Sequence, residues 1–307
     1  MNLLRISIVQ YLNTAPLVRG FTHGPLRGKY QLSFTVPSQC AEALRNGAAD
    51  IAIIPAIEYQ RIHNLAVLPN LSIASKKSVR SLLLVSNRPI HEAQRFALDC
   101  SSRSTQALVR ILCAKRWRIT PEFFEADPDV PAMLQQADAA LLIGDPALQL
   151  AFAAERAGSR GPSGVLTCSG ASVGVPKSPQ LFIHDIVEEW HLLTNLPAVL
   201  AMWAARREVI TPEIVRDFQQ SLAFGLQHLD AIAAEAAKEM NLPAVDLRRY
   251  LNENIDYTLD NENLRGLGRY YLWAAELGLI PEAKGIALAA EPGGPVRHAD
   301  FVMARKN

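Results

Sequence analysis

The chain has 307 residues, 49% hydrophobic and 20% charged, with 31 Lys and Arg against 30 Asp and Glu and a formal net charge of +1. That balance excludes a disordered tail and a basic nucleic-acid surface, and the length suits two lobes with sizeable cores. Cys40, Cys100, Cys113 and Cys168 form no C-x-x-C pair and share no ligand spacing with the histidines, so they read as reduced thiols, with no metal or cofactor site expected.

Short apolar runs, each ending in a breaker and followed by a helical pattern, read as an α/β fold with mainly parallel sheets. Residues 3–9 lead into Tyr11, Asn13 and Pro16. Residues 32–36 lead into Pro37, Ser38 and a helix closed by Gly47; residues 51–54 lead into Pro55. Residues 81–86 and 196–203 stand apart as crossings between lobes. On that reading lobe one is 1–86 plus 200–307 and lobe two is the insert 87–199, with a ligand cleft between them; the alternative is two sequential domains meeting near Thr211. In lobe two, residues 95–98 lead into Asp99, Ser101 and Ser102, and residues 139–143 into Gly144, Asp145 and Pro146. These turns lie at carboxyl ends of strands, the edge where open parallel sheets bind ligands. Residues 157–180, crowded with Gly, Ser and Pro, read as a surface loop. From Thr211 the chain turns helical, residues 247–278 continue amphipathically as scaffold, and 291–307 read as a loose tail.

The strongest local signal is Ser101, Ser102, Arg103, Ser104 and Thr105 opening a helix. Hydroxyls beside first-turn N–H groups suit a carboxylate or phosphate, whereas a simple cap needs one hydroxyl. Asn13 and Ser38 suit either capping or ligand contact, Asp145 suits capping, and Arg80 just before Ser81 suits balancing a ligand's charge. No histidine falls in the strand-end turns; His184 and His191 bracket Trp190 on an expected helix. No G-x-S-x-G, H-E-x-x-H, P-loop or G-x-G-x-x-G is present. Residues 1–9 contain no leader-type apolar segment, and the longest apolar stretch, 196–205, contains Pro197 and is too short to cross a bilayer, so a cytoplasmic location is expected.

Several segments together resemble the chorismate dehydratases of menaquinone biosynthesis by the futalosine route. They are Tyr11-Leu12-Asn13-Thr14, Pro37-Ser38 through Asp50-Ile51-Ala52, Ile54-Pro55 through Glu58-Tyr59, Val79-Arg80-Ser81, Leu98-Asp99 through Ser101-Ser102-Arg103, residues 139–145, and Leu196-Pro197 through Trp203-Ala204. The resemblance implies a type II periplasmic-binding-protein fold, two α/β lobes around a cleft, used as a cytoplasmic enzyme. It implies a small dicarboxylate substrate, chorismate, converted to 3-[(1-carboxyvinyl)oxy]benzoate and water, with no nucleic-acid or membrane partner and a monomer or homodimer. It gives Asn13 and Ser81 active-site roles, with Tyr11, Ser38, Arg80, Ser101, Ser102, Ser104, Thr105, Gly144 and Asp145 around the substrate. With no side-chain base evident, the expected proton acceptor is the substrate's own enolpyruvyl carboxylate. The Ser104-Thr105 order, Lys76-Lys77 and the long 157–180 segment depart from the family's usual pattern. Two rivals remain. A sister 1,4-dihydroxy-6-naphthoate synthase needs a histidine where Ile143-Gly144-Asp145 stands, and a solute-binding protein shares the fold without catalysis.

Overall fold

The computed structural model describes residues 3–161, 165–175 and 180–289, with the backbone of 297–299. Its strands are β1 (Arg5–Val9), β2 (Gln31–Thr35), β3 (Ile51–Pro55), β4 (Leu65–Ser75), β5 (Leu82–Ser86), β6 (Arg95–Asp99), β7 (Glu122–Ala126), β8 (Ala139–Ile143), β9 (Ser159–Arg160), β10 (Leu166–Cys168), β11 (Leu181–Asp185), β12 (Ala198–Arg206), β13 (Ile286–Leu288) and β14 (Arg297–Ala299). The α-helices are α1 (Ala15–Thr22), α2 (Pro37–Arg45), α3 (Arg103–Leu112), α4 (Val130–Gln136), α5 (Gly144–Ala157), α6 (Ile186–Thr194), α7 (Pro212–Gln227), α8 (Leu229–Met240), α9 (Ala244–Arg249) and α10 (Asn261–Glu276). The chain divides into two compact units. The first comprises Met1–Ala74, Leu196–Ile232 and Asp256–Asn307; the second comprises Ser75–Asn195 and Ala233–Ile255.

The first unit holds a sheet in the order β14-β13-β4-β12-β3-β1-β2. β1 runs parallel to β2 and β3, with Ile6 beside Leu32 and Ile51, while β12 joins β3 antiparallel. β3 and most of β1 are buried, which is why their sequences are nearly continuous apolar runs. In the same unit α1 packs on α7. Ser221 Oγ donates to the Leu17 carbonyl at 2.8 Å and accepts the Gly20 amide at 3.1 Å. Gly225 lies directly on the Pro16 backbone, at a distance no side chain would permit. Phe21, Tyr30, Trp203 and Phe218 meet edge to face, with Phe218 4.9 Å from Phe21 and 4.8 Å from Trp203, and so lock the helices to the sheet.

The second unit holds a sheet in the order β7-β6-β8-β5-β11-β10-β9. Only β7-β6-β8 are parallel; β5, β11, β10 and β9 are successively antiparallel. This corrects the expectation of a mainly parallel second sheet. A fully buried strand such as β5 shows an unbroken apolar pattern whichever way it runs, so its sequence carries no direction. β5 is also the central strand of this sheet, although its residues were expected with lobe one.

Other expectations are corrected as well. The segment 157–180 is not a plain loop, because β9 and β10 pair within its described part. His184 stands on β11 rather than on a helix; α6 begins two residues later, at Ile186. The amphipathic stretch 247–278 is interrupted: α9 ends at Arg249, a π-helical turn spans Tyr250–Asn254, and α10 starts at Asn261. Tyr250 thereby belongs to the second unit and Tyr271 to the first. The eleven-residue β4 had no sequence counterpart, since its Pro69 and the left-handed Asn70 (φ 58°) interrupt the strand pattern. The segment 291–307 lies outside the described residues apart from the backbone of β14. Among the described residues no helix is long and apolar enough to cross a membrane.

Candidate functional site

In the first unit, the carboxyl ends of the parallel trio β2-β1-β3 present Val36 to Ser38, Gln10 to Thr14, and Ala56 onward. The Gln10 amide donates to the Thr35 carbonyl at 2.9 Å and holds the first two turns together. Tyr11 precedes a short 3-10 turn, Leu12–Thr14, that carries Asn13 into α1. Asn13 is 9% exposed, and its Oδ1 accepts the Thr14 hydroxyl at 3.3 Å. It caps nothing. The 3-10 turn is preceded by Tyr11 and α1 by Thr14, neither with a side-chain cap bond. Ser38 is likewise not a cap, because α2 begins at Pro37 with Val36 in the capping position. Both residues are therefore freed from the local role that usually explains them.

In the second unit, the antiparallel setting of β5 changes what one sheet edge can gather. The carboxyl ends of β6, β8 and β11 share an edge with the start of β5, so Ser81 joins the strand-end turns although it precedes its strand. Its carbonyl accepts the Gly144 amide at 2.8 Å. Helices α3, α5 and α6 all begin at this edge, and each brings the positive end of its dipole.

The start of α3 carries Ser101, Ser102, Ser104 and Thr105, all buried. Ser102 occupies the capping position in extended backbone (φ −117°, ψ 95°) yet makes no side-chain cap bond. Ser101 is committed: its amide and hydroxyl donate to Asp99 Oδ1 at 2.9 and 2.6 Å. Burial pushes the Asp99 carboxyl above the ordinary range, and the two Ser101 bonds oppose that push. Beside the engaged Ser101, this helix start carries the hydroxyls of Ser102, Ser104 and Thr105. At β8 the expected capping role of Asp145 is corrected. Ile143 takes the capping position, Gly144 opens α5 with φ 69°, and Asp145 sits inside the first turn, because the left-handed glycine starts the helix one residue early.

Ser81 is fully buried, and its Oγ accepts the Tyr250 hydroxyl at 2.9 Å. Arg80 before it has a left-handed backbone (φ 62°). Its guanidinium pairs with Glu155, Nε to Oε1 at 3.2 Å, and lies 4.2 Å from the centre of the Phe152 ring. Its charge is thus partnered within the chain. Asp185, at the end of β11, accepts the amides of Val79 (2.9 Å) and Arg80 (2.6 Å) on one oxygen and those of Val187 (2.9 Å) and Glu188 (3.1 Å) on the other. Burial raises this carboxyl to about 6 against the pull of those amides. Sequence reasoning missed both Tyr250 and Asp185. The Asp185-x-x-Glu188 spacing of a helix start was a usable signal for the second, whereas nothing local marks a tyrosine 169 residues from its partner.

His184 lies buried with Nδ1 2.9 Å from Glu189 Oε1, and Glu189 in turn accepts Arg116 Nε at 2.8 Å. Burial pushes the Glu189 carboxyl up, but these two bonds outweigh it and hold it below the usual range. Among the described residues no three His, Cys, Asp or Glu side chains gather as a metal site. Burial raises the thiols of Cys40 to about 11 and Cys113 to about 12, so neither is a ready nucleophile.

Two such α/β units, each presenting strand-end turns, define a periplasmic-binding-protein type of fold. The solved structures that resemble the chain agree. An Archaeoglobus fulgidus protein matches with a TM-score of 0.66 at 18% identity, covering 90% of this chain and 98% of that one. The alkanesulfonate-binding protein of Xanthomonas axonopodis pv. citri gives 0.60 at 14% identity, covering 91% and 94%. The periplasmic aliphatic sulphonate binding protein of Escherichia coli gives 0.59 at 18%, covering 99% and 97%. Within that fold class, the chain belongs to the menaquinone biosynthesis family, whose model matches residues 4–276. A chorismate dehydratase of Thermus thermophilus is 26% identical over 277 residues, 89% of this chain and 95% of that protein.

Proposed function

We propose that this protein is a chorismate dehydratase, a hydro-lyase that converts chorismate to 3-[(1-carboxyvinyl)oxy]benzoate and water in menaquinone biosynthesis. Membership of the menaquinone family along nearly the whole chain carries the reading, and the near-full-length likeness to a chorismate dehydratase gives it its substrate. A hydro-lyase of this biosynthetic route works in the cytoplasm, which is where the reading puts the chain.

The chemistry asks for little from side chains that titrate. Chorismate loses a proton from the ring carbon bearing the enolpyruvyl ether and a hydroxyl from the next carbon, and the ring becomes aromatic. The driving force lies in the product, so the protein's task is to hold one conformer and stabilise the departing oxygen. The start of α3, with Ser102, Ser104 and Thr105, receives a carboxylate. Asn13, which caps no helix, offers its amide to the departing hydroxyl or the side-chain carboxylate, with Tyr11 and Ser38 beside its edge of the sheet. Ser81 orients the ring next to the Gly144-Asp145 turn. The enolpyruvyl carboxylate of the substrate takes the proton, in keeping with strand-end turns that carry no histidine. Asn13 and Ser81 are 9% and 0% exposed, so substrate reaches either only as the residues covering it give way.

The test is to mix the purified chain with chorismate and follow loss of the diene absorbance together with appearance of the aromatic ether. Binding without conversion overturns the dehydratase reading in favour of a solute-binding role. The base is tested with an analogue lacking the enolpyruvyl carboxylate, which should bind and stay intact.

A further inference from the structure

We infer that Tyr250 and Asp185 are positioning residues that together aim the Ser81 hydroxyl. The inference rests on the dehydratase reading and adds to it two residues that do not themselves touch substrate.

Three observations converge. First, Tyr250 is 1% exposed, and its phenol reaches Ser81 Oγ at 2.9 Å. With the phenol as donor, the Ser81 oxygen is engaged as an acceptor, which leaves its own O–H to point elsewhere and polarises it as a donor. Second, the main chain just before Ser81 is held in a form that L-residues avoid: Arg80 has φ 62°, a strained conformation that persists only when its surroundings enforce it. Asp185 enforces it, because a single carboxylate oxygen accepts the amides of both Val79 and Arg80. The other oxygen is fixed by the first amides of α6, so the clamp is anchored to a helix rather than to a loop. Third, the same short segment is tied down once more upstream. Asn254, four residues after Tyr250, donates to the Ser78 carbonyl at 3.0 Å, and Ser75 Oγ donates to the same carbonyl at 2.9 Å. The π-helical turn Tyr250–Asn254 thus supplies both the bond to the Ser81 hydroxyl and a bond to its approach. A buried serine serving only to fill space needs none of this. Two supports from distant parts of the sequence fix one hydroxyl, one through its oxygen and one through its backbone.

The experiment compares Tyr250→Phe, Asp185→Asn and Ser81→Ala with the two double variants that carry Ser81→Ala. Thermal unfolding and steady-state turnover of chorismate are measured on the full chain. Tyr250→Phe keeps the ring and should lower kcat between about two- and tenfold, the range one hydrogen bond covers, with KM within about twofold. Asp185→Asn, which sets an amide group against two backbone donors, should lower kcat about tenfold or more. In the Ser81→Ala background both effects should vanish, since there is no hydroxyl left to aim. A merely structural role would slow Ser81→Ala by the same factor as the wild type, and that additivity overturns the inference; so does full activity of Tyr250→Phe. If Tyr250→Phe fails to fold, the Asp185→Asn pair decides in the same way. A wild-type chain that leaves chorismate intact overturns the dehydratase reading and the inference with it, whereas an active wild type with equally active single variants overturns the inference alone.

Discussion

Replacing Gly225 by alanine sets two known effects against each other, and the structure decides the sign. Alanine is the better helix former by about 1 kcal/mol, so on propensity alone Gly225→Ala should stabilise α7. A Cβ at this position, however, would lie 1.9 Å from the Pro16 carbonyl oxygen, 2.6 Å from its carbonyl carbon and 2.7 Å from its Cα. Real Cβ atoms do not come closer than 3.0 Å, so the separation must grow by 3.0 − 1.9 = 1.1 Å at the least. The obstacle is backbone, which cannot rotate away, and both helices are locked by the aromatic cluster around Phe218. Overpacking costs of about 1–3 kcal/mol therefore apply at their upper end, leaving a net loss of about 2 kcal/mol after the propensity gain. For a protein of this size, with an unfolding entropy of about 0.6 kcal/mol/K, that is a fall in melting temperature of roughly 3 °C. Scanning calorimetry reads it directly. Turnover should fall as well, because Pro16 is three residues from Asn13 and α1 must move. A variant that melts at or above the wild-type temperature would refute the close approach of α1 and α7.

Asn13→Ala should cut turnover by an order of magnitude or more and cost about 1 kcal/mol in urea unfolding, because the buried Thr14 hydroxyl loses its acceptor although no helix loses a cap. Ser102→Ala should leave stability unchanged while weakening chorismate binding, since its hydroxyl makes no cap bond. Thr211→Ala, whose hydroxyl accepts the Ile214 amide at 3.3 Å, should cost about 0.5–2 kcal/mol and leave turnover alone. The Asp185 carboxyl, raised by burial from 3.8 to about 6, favours the protonated folded state. Its contribution is therefore fully present below about pH 4 and is lost as the pH rises through 6, by about 3 kcal/mol. Stability curves between pH 4 and 7 should show that slope in the wild type and lack it in Asp185→Asn; equal slopes would refute the assignment.

Much of the fold was legible because β1, β2, β3, β6 and β8 each pair a compact apolar run with a breaker, and that conjunction marks a strand-end turn. The hydroxyl-rich start of α3 was legible for the same local reason. What stayed hidden was either irregular or distant. Pro69 and Asn70 disguised β4, and the two glutamates flanking Phe123-Phe124 disguised β7. The direction of β5 is a property of its neighbours, not of its residues. Ser81 was found through resemblance alone, and its support by Tyr250 and Asp185 depends on pairings across 169, 106 and 105 positions, which no window of sequence contains. Ser101 shows a local bond that residue type does not announce: its hydroxyl donates to a carboxylate two residues earlier.

The four bonds of Asp185 all end on main-chain amides. A clamp of that kind grips the main chain, so its bonds ask of positions 79, 80, 187 and 188 only that none be proline; burial, not the clamp, is what constrains Val79 and Val187. Among diverging relatives, the landmark for aligning this turn is then the carboxylate itself. A chain without that acid must find another acceptor for the same four amides.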